Sequence, residues 1–236
     1  MANVSIIIPL ADDDRLTYSL SKFLLDLDLS YFEVILSVGH HHETAVLSNH
    51  HQLESHGFRL VRGKMGRARQ MNRGVSAATG TYIWFLHGDS KVPNCVPQLK
   101  DLVIEGREAL FYFDLKFDRQ FTSLMSVNEL GVWIRSRILK IPFGDQGFFI
   151  RKSLFEKLGQ YDEEVAYGED HLLVWACHKS EIPVLPVGSF ITTSSRKYQT
   201  RGWLPTTLNH LRLTAKQAGP ELVEVLKKQF RFRKSL

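Results

Sequence analysis

Apolar residues in the first ninety positions come in short runs, and polar stretches with helical spacing lie between them. Residues 4–9 (VSIIIP) form a continuous apolar run that predicts a buried strand. A helix follows, with Leu16, Leu20, Phe23, Leu24 and Leu27 on one face. Asp13 and Asp14 stand ahead of it as candidate N-cap oxygens. Residues 32–38 predict a second strand, and a histidine-rich loop comes after it. Residues 44–55 read as a helix that Gly57 stops, and residues 58–61 as a third strand. In residues 66–79, Met71, Val75 and Ala78 recur at helical spacing. Gly80 ends that helix, and residues 82–86 are a fourth strand. Strands alternating with helices predict a mostly parallel sheet covered on both faces.

The pattern changes in the middle. Residues 110–118 alternate, with Phe111, Phe113, Leu115 and Phe117 on one side and Tyr112, Asp114, Lys116 and Asp118 on the other. This predicts a half-exposed strand in an antiparallel or mixed part of the sheet. Residues 121–139 predict a helix, 142–147 a turn and 148–150 a short strand. Further helices are expected at 153–158 and 171–178, and a strand at 184–187. Two tail helices, 204–217 and 220–230, are separated at Gly219-Pro220. The expected organisation is one domain over 1–193, with a basic loop and helical extension of the same domain over 194–236.

Composition narrows the class. The chain has 236 residues, of which 44% are hydrophobic and 23% charged, as in an ordinary globular protein. Two cysteines, Cys95 and Cys177, exclude a disulfide scaffold and a four-cysteine zinc site. No apolar run approaches the roughly 20 residues a membrane-spanning helix needs. The start lacks the basic region of a signal peptide, so a cytoplasmic location is the expectation. Charge is uneven. Residues 194–236 hold ten Lys or Arg and two Glu, a net +8, against +5 for the whole chain. Such a tail suggests nucleic acid, an anionic surface such as the inner face of a membrane, or a phosphorylated ligand, with a solvated helix face as the alternative, and weak membrane contact through it is one expectation.

Four segments carry candidate chemistry, each expected beyond the carboxyl end of a strand, where open α/β sheets bind ligands. Residues 66–74 (GRARQMNRG) open a helix, so free N–H groups with Arg67 and Arg69 face an anion. In residues 85–90 (FLHGDS) an apolar strand runs into a polar turn, where the carboxylate of Asp89 suits a hard divalent cation. Glu169 and Asp170 open another helix, and an ionised aspartate can accept a hydroxyl proton. Residues 192–198 (TTSSRKY) set hydroxyls beside two cations that could clasp a phosphate.

In sequence, these segments resemble the family 2 glycosyltransferases with the GT-A fold, whose central signature is similar to residues 66–93 here. The bacterial subgroup described for arsenosugar biosynthesis is more similar still. The chain shows GRARQMN (66–72), FLHGD (85–89), GDQ (144–146), GED (168–170) and SSRKY (194–198) in that subgroup's order. The resemblance implies an α/β GT-A fold and transfer from a nucleotide-diphospho-sugar to a small-molecule or lipid-linked acceptor. It implies an inverting reaction with Mg²⁺ or Mn²⁺ as cofactor and no nucleic-acid partner. It further implies that Asp170 is the catalytic base and that Asp89 sits at the metal, with His87 in place of the first acid of the usual DxD. Arg67, Arg69, Asn72 and Asp13 would lie on the nucleotide side, and Arg196 at the leaving diphosphate. Asp145, Gln146 and Glu169 would face the sugar or acceptor.

One departure stands out. Where the family has an aspartate that reads the nucleobase after strand two, this chain has Val38, which cannot accept a hydrogen bond through its side chain. His40, His41 and His42 follow and could bind a transition metal. Two other functions remain open. One is a nucleotidyltransferase on a related sheet. The other is a degenerate domain that only binds sugar nucleotides or a membrane surface.

Overall fold

A computed structural model describes residues 2–11, 16–40, 56–118, 125–165, 167–193, 202–205, 207, 212, 219 and 221. Seven strands form one sheet: β1 (Val4–Ala11), β2 (Phe32–His40), β3 (Arg59–Lys64), β4 (Tyr82–Phe85), β5 (Leu110–Phe117), β6 (Phe149–Arg151) and β7 (Val184–Thr193). Their order is β3-β2-β1-β4-β6-β5-β7. The first four are parallel. β6 runs antiparallel to both β4 and β5, and β5 pairs parallel with β7. The sheet is therefore mostly parallel with one reversed strand. The chain moves outward from β1 through β2 to β3, then returns to place β4 on the other side of β1. That reversal makes the β1/β4 junction a topological switch point.

Helices cover both faces. Among the described residues up to Thr193 they are α1 (Tyr18–Leu25), α2 (Arg67–Ala77), α3 (Val96–Glu105), α4 (Met125–Trp133), α5 (Lys152–Lys157) and α6 (Glu169–Lys179). One core sets Ile6, Ile8, Trp84, Phe111 and Phe113 of the sheet against Leu20 and Leu24 of α1 and Leu99 of α3. The opposite core sets Ile7, Ile35, Ile83, Phe85 and Tyr112 against Met71 and Val75 of α2, Leu154 of α5 and Val174 of α6. Alternate residues of a strand serve opposite cores because successive side chains point to opposite faces. α2 lies unusually close to the sheet: a Cβ on Gly74 would stand 2.4 Å from Cγ2 of Ile7.

The structure departs from the sequence pattern in several places. The α1 N-cap is Thr17, whose side chain accepts from the Leu20 amide, rather than Asp13 or Asp14. α3 was not among the expected helices; Pro97 stands in its first turn, where proline is tolerated because its missing N–H has no partner to lose. The first half of β5 is buried on both faces, and only Asp114 and Lys116 emerge, since helices flank both sides. The helix expected over 121–139 is α4 followed by a π turn, Ile134–Ile138, closed by Leu139 N donating to the Ile134 carbonyl. β7 continues to Thr193, so Thr192 and Thr193 are strand residues and not loop hydroxyls. The helix expected at 44–55 lies outside the described residues, as do most of both tail helices. Gly219 and Glu221, on either side of the expected break, are both helical.

Candidate active site

The carboxyl ends of β1 to β4 and the turn preceding the reversed β6 open on the same edge of the sheet. α2 begins there directly after β3. Its N-cap is Gly66, which has no side chain to occupy the first-turn amides. Gln70, 4% exposed, reaches back from the next turn. Its amide donates to the Leu10 carbonyl at 2.6 Å and the Ser37 carbonyl at 2.9 Å, and accepts from Gly66 N at 3.3 Å. One side chain therefore ties the ends of β1 and β2 to the start of α2. Arg73, one turn on, donates to the carbonyls of Val38 and Lys64.

Arg67 is the hub of the edge. Its Nε stands 3.1 Å from Oε1 of Glu169, a buried carboxylate in the first turn of α6. The ion pair lacks an aligned N–H, since that oxygen accepts no hydrogen bond. Its Nη2 meets Nε2 of His87, in the turn after β4, at 2.6 Å. A guanidinium is always protonated, so His87 Nε2 is the acceptor. Asp170 lies beside this pair. Its Oδ2 accepts from Gly144 N and its Oδ1 from His171 N at 3.0 Å. A Cβ on Gly144 would stand 2.7 Å from Arg67 Nη2 and 2.9 Å from Asp170 Oδ2. The absence of a side chain there lets the turn, the arginine and the aspartate converge.

The residues behind α6 hold it in place. His171 Nε2 accepts from Trp175 Nε1 at 2.8 Å, and Phe143 packs its ring edge on His171. Arg135 lies 3.4 Å over the Phe143 ring. Tyr161 is buried near Asp170, Arg67 and Glu169; burial, and then the charge of Asp170, push its hydroxyl pKa well up, so it stays protonated.

The expected site residues thus divide. Arg67, His87, Glu169 and Asp170 come together. Asp89 is exposed in the turn two residues past His87. Arg69, at the rim, faces Glu163 at 3.7 Å and Glu164 at 3.4 Å. Asp145 sits part-buried in the turn Gly144–Gln146. Asn72 is turned inward: its amide donates to the Tyr161 carbonyl and Glu163 and accepts from Tyr161 N. Gln146 is fully buried, with Arg135, Ser136 and Phe143 N donating to its Oε1 and its Nε2 donating to the Phe113 carbonyl. As placed, both amides brace the walls of the site. Asp13, Arg196, His41 and His42 lie outside the described residues, as does the side chain of His40. Among the described residues no three His, Cys, Asp or Glu side chains cluster as metal ligands. Gln70 and Arg73 were not singled out in the sequence; their polar character on the inward side of a helix was the available signal.

A family model described as Glycosyl transferase family 2 matches residues 5–159. The chain belongs to this family. The mannosyltransferase PcManGT from Pyrobaculum calidifontis, in complex with GDP-Man and Mn²⁺, superposes with a TM-score of 0.64 at 17% identity. The match covers 97% of this chain and 64% of that one. TarS from S. aureus, residues 1–349 in complex with UDP-GlcNAc, superposes with a TM-score of 0.61 at 15% identity, covering 83% of this chain and 59% of that one. The full TarS structure gives 0.60 at 17% identity, and only 37% of it is covered. These proteins share the GT-A fold with this chain, which spans less than two thirds of each. No curated protein matches the sequence.

Proposed function

We propose that this family 2 glycosyltransferase moves a sugar from a nucleotide-diphospho-sugar to an acceptor hydroxyl, with inversion. The observation that carries the reading is the convergence of Arg67, Gly144 and Asp170 beyond the strand ends. The donors bound by its structural neighbours, UDP-GlcNAc and GDP-Man, support the substrate class. Asp170 takes the acceptor proton as the hydroxyl oxygen bonds to the anomeric carbon. The bond from that carbon to the diphosphate breaks on the opposite face, and its electron pair leaves with the nucleoside diphosphate. The Gly144 and His171 amides fix the carboxylate before substrate arrives, so little reorganisation accompanies proton transfer. Arg67, 40% exposed in its side chain, offers a guanidinium to the departing charge, and Arg196 is assigned the same task by resemblance.

A divalent cation fits one residue of this edge. Asp89 supplies an exposed, hard oxygen at a strand end, which suits a cation whose other ligands are diphosphate oxygens. His87 does not suit it, because its Nε2 already accepts from Arg67. Bound there, Mg²⁺ or Mn²⁺ would neutralise the leaving diphosphate. The Mn²⁺ of the PcManGT complex supports the choice. The base is read without the usual carboxylate: Val38 has none, and its carbonyl is taken by Arg73. Within the family we place the chain nearest the arsenosugar-biosynthesis subgroup, on the ordered motifs from residue 66 to 198.

The test is Asp170→Asn. It should leave donor binding unchanged in calorimetry and cut turnover by at least about 10²-fold, the scale of losing a general base. Near-normal turnover would remove Asp170 from the mechanism.

A further inference from the structure

Gln146 is fully buried, and four groups from three segments meet its side-chain amide. Its Oε1 accepts from Arg135 Nη2 at 3.2 Å, Ser136 Oγ at 2.8 Å and Phe143 N at 3.1 Å, and its Nε2 donates to the Phe113 carbonyl at 2.9 Å. Ser136 has one hydroxyl proton and shares it with the Val132 carbonyl, also at 2.8 Å. Gln146 N donates back to the Phe143 carbonyl at 3.0 Å, so Phe143 and Gln146 close the turn from both sides. The Gly144 amide is a first-turn N–H that the short helix itself leaves over, and Asp170 Oδ2 accepts it.

Two of the three donors to Gln146 Oε1 come from the π turn. There the Ile134 carbonyl accepts from Leu139 N, five residues on instead of four. The widened turn gives other carbonyls to groups outside it. Arg135 O accepts from Ile141 N at 3.0 Å and Ser136 O from Tyr112 OH at 2.8 Å. Burial pushes the Tyr112 hydroxyl up to about 12, so it remains a donor. Three successive side chains then find partners in the body of the protein: Arg135 and Ser136 on Gln146, and Arg137 on Asp114 of β5 at 3.0 and 2.6 Å. A regular α-helix, at 3.6 residues per turn, would spread three successive side chains over about 200°. Local widenings of this kind recur at functional sites.

Both amides that hold Asp170 are reached from Arg135. Through Gln146 and Phe143 N it bears on the turn that carries the Gly144 amide. Its guanidinium also lies 3.4 Å over the Phe143 ring, and that ring meets His171, with centroids 5.8 Å apart at 77°. His171 N donates to Asp170 Oδ1 at 3.0 Å. We propose that the π turn positions the Asp170 carboxylate, with Arg135 and Gln146 as its positioning residues. The inference deepens the proposed function, and its consequence for turnover rests on that reading. Gln146, which the resemblance sets facing the sugar or acceptor, acts instead from behind the turn.

Amide exchange reads the positioning without any turnover. Arg135→Ala is the variant of choice, because Arg135 is part-exposed, whereas Gln146→Leu unpairs two backbone groups and puts folding at risk. In the isotope-labelled full chain, Arg135→Ala should speed hydrogen exchange at the Gly144 and His171 amides at least about tenfold, the scale of one lost interaction of this kind. The buried strand amides of β1 and β4 should change by much less. An equal increase at the strands would make Arg135 a stabilising residue only, and unchanged exchange at Gly144 and His171 would detach it from the site; either result overturns the proposal. Turnover then separates this role from that of Asp170, followed as release of UDP from UDP-GlcNAc or of GDP from GDP-Man, the donors bound by the structural neighbours. Arg135→Ala should lower kcat per donor-binding site at least about tenfold and leave the donor KM within about twofold. Added to Asp170→Asn it should cost nothing further, because both substitutions act on one carboxylate. A full additional loss in that background would also overturn the proposal. Near-normal turnover of Asp170→Asn alone would end the reading of Asp170 as the base, while amide exchange still decides whether the π turn positions its carboxylate.

Discussion

Gln70 shows how one buried amide sets the geometry of an edge. Three backbone groups from three elements end on it: the Leu10 and Ser37 carbonyls and the Gly66 amide. Replacing it by Leu keeps the volume and leaves all three without their partner. An unpaired buried polar group costs about 1–3 kcal/mol, and Gly66 is near enough to solvent to recover part of it. Gln70→Leu should therefore destabilise the fold by about 2–4 kcal/mol in urea unfolding. It should also weaken donor binding, because β1, β2 and α2 lose their common tether. A variant of parental stability would show that water replaces the amide. Arg67 sits at the other extreme: partly exposed, with its guanidinium held between the Glu169 carboxylate and the His87 imidazole. Cys95 and Cys177 are chemically remote from all this, since burial pushes both thiols up to about 12.

At the scale of elements, the far end of the same sheet is locked by Glu33. Its carboxylate accepts from Ser5 Oγ in β1 and from Thr79 and Gly80 at the end of α2, and Arg59 of β3 stands 3.3 Å away. Burial raises its pKa, but the hydrogen bonds outweigh burial and hold it below the ordinary 4.5. A carboxylate depressed in the folded state adds stability that is complete above its unfolded value and lost as pH falls through the folded one. Glu33→Gln should lower stability by about 1–3 kcal/mol at neutral pH. It should also flatten the decline of stability below about pH 4.5; an unchanged acid limb in urea titrations would remove Glu33 from the balance. Elements with an unambiguous period were legible in the sequence: β1, β2, β4 and α2 fall close to their expected bounds. α3 was not read from the sequence, and the π turn had no local signature, because Tyr112 OH and the Ile141 amide, both outside it, donate to carbonyls of the turn. In the candidate site, the charges of Asp170 and Arg67 were legible, and the structure brings the two side chains together beyond the strand ends. The inward turn of Asn72 and Gln146 was not, since an amide reads alike whether it faces a sugar or a backbone.

The whole molecule places its chemistry by topology. Four parallel strands end on one edge, the chain reverses direction at β1/β4, and the antiparallel β6 lets the Gly144 turn enter from the same side. The edge gathers Arg67, His87, Asp89 and Asp170 from three separate segments, with little sequence-local help. Its charge is close to balanced: Arg67 opposes Glu169, and Arg69 opposes Glu163 and Glu164. A nucleoside diphosphate arriving here adds two or three negative charges to an edge that already holds Asp89 and Asp170, so a divalent cation should strengthen its binding. Ligand that binds only the folded state raises stability by mass action, by about 2.7 kcal/mol at 100 times Kd. UDP or GDP should therefore raise Tm more with Mn²⁺ or Mg²⁺ than in EDTA. Asp89→Ala should abolish that metal-dependent increment and keep the metal-free shift, because Arg67 still faces the phosphates. Equal shifts with and without metal in the parent would show that Arg67 and the basic tail neutralise the diphosphate by themselves, and Asp89 would then have no part in holding a cation.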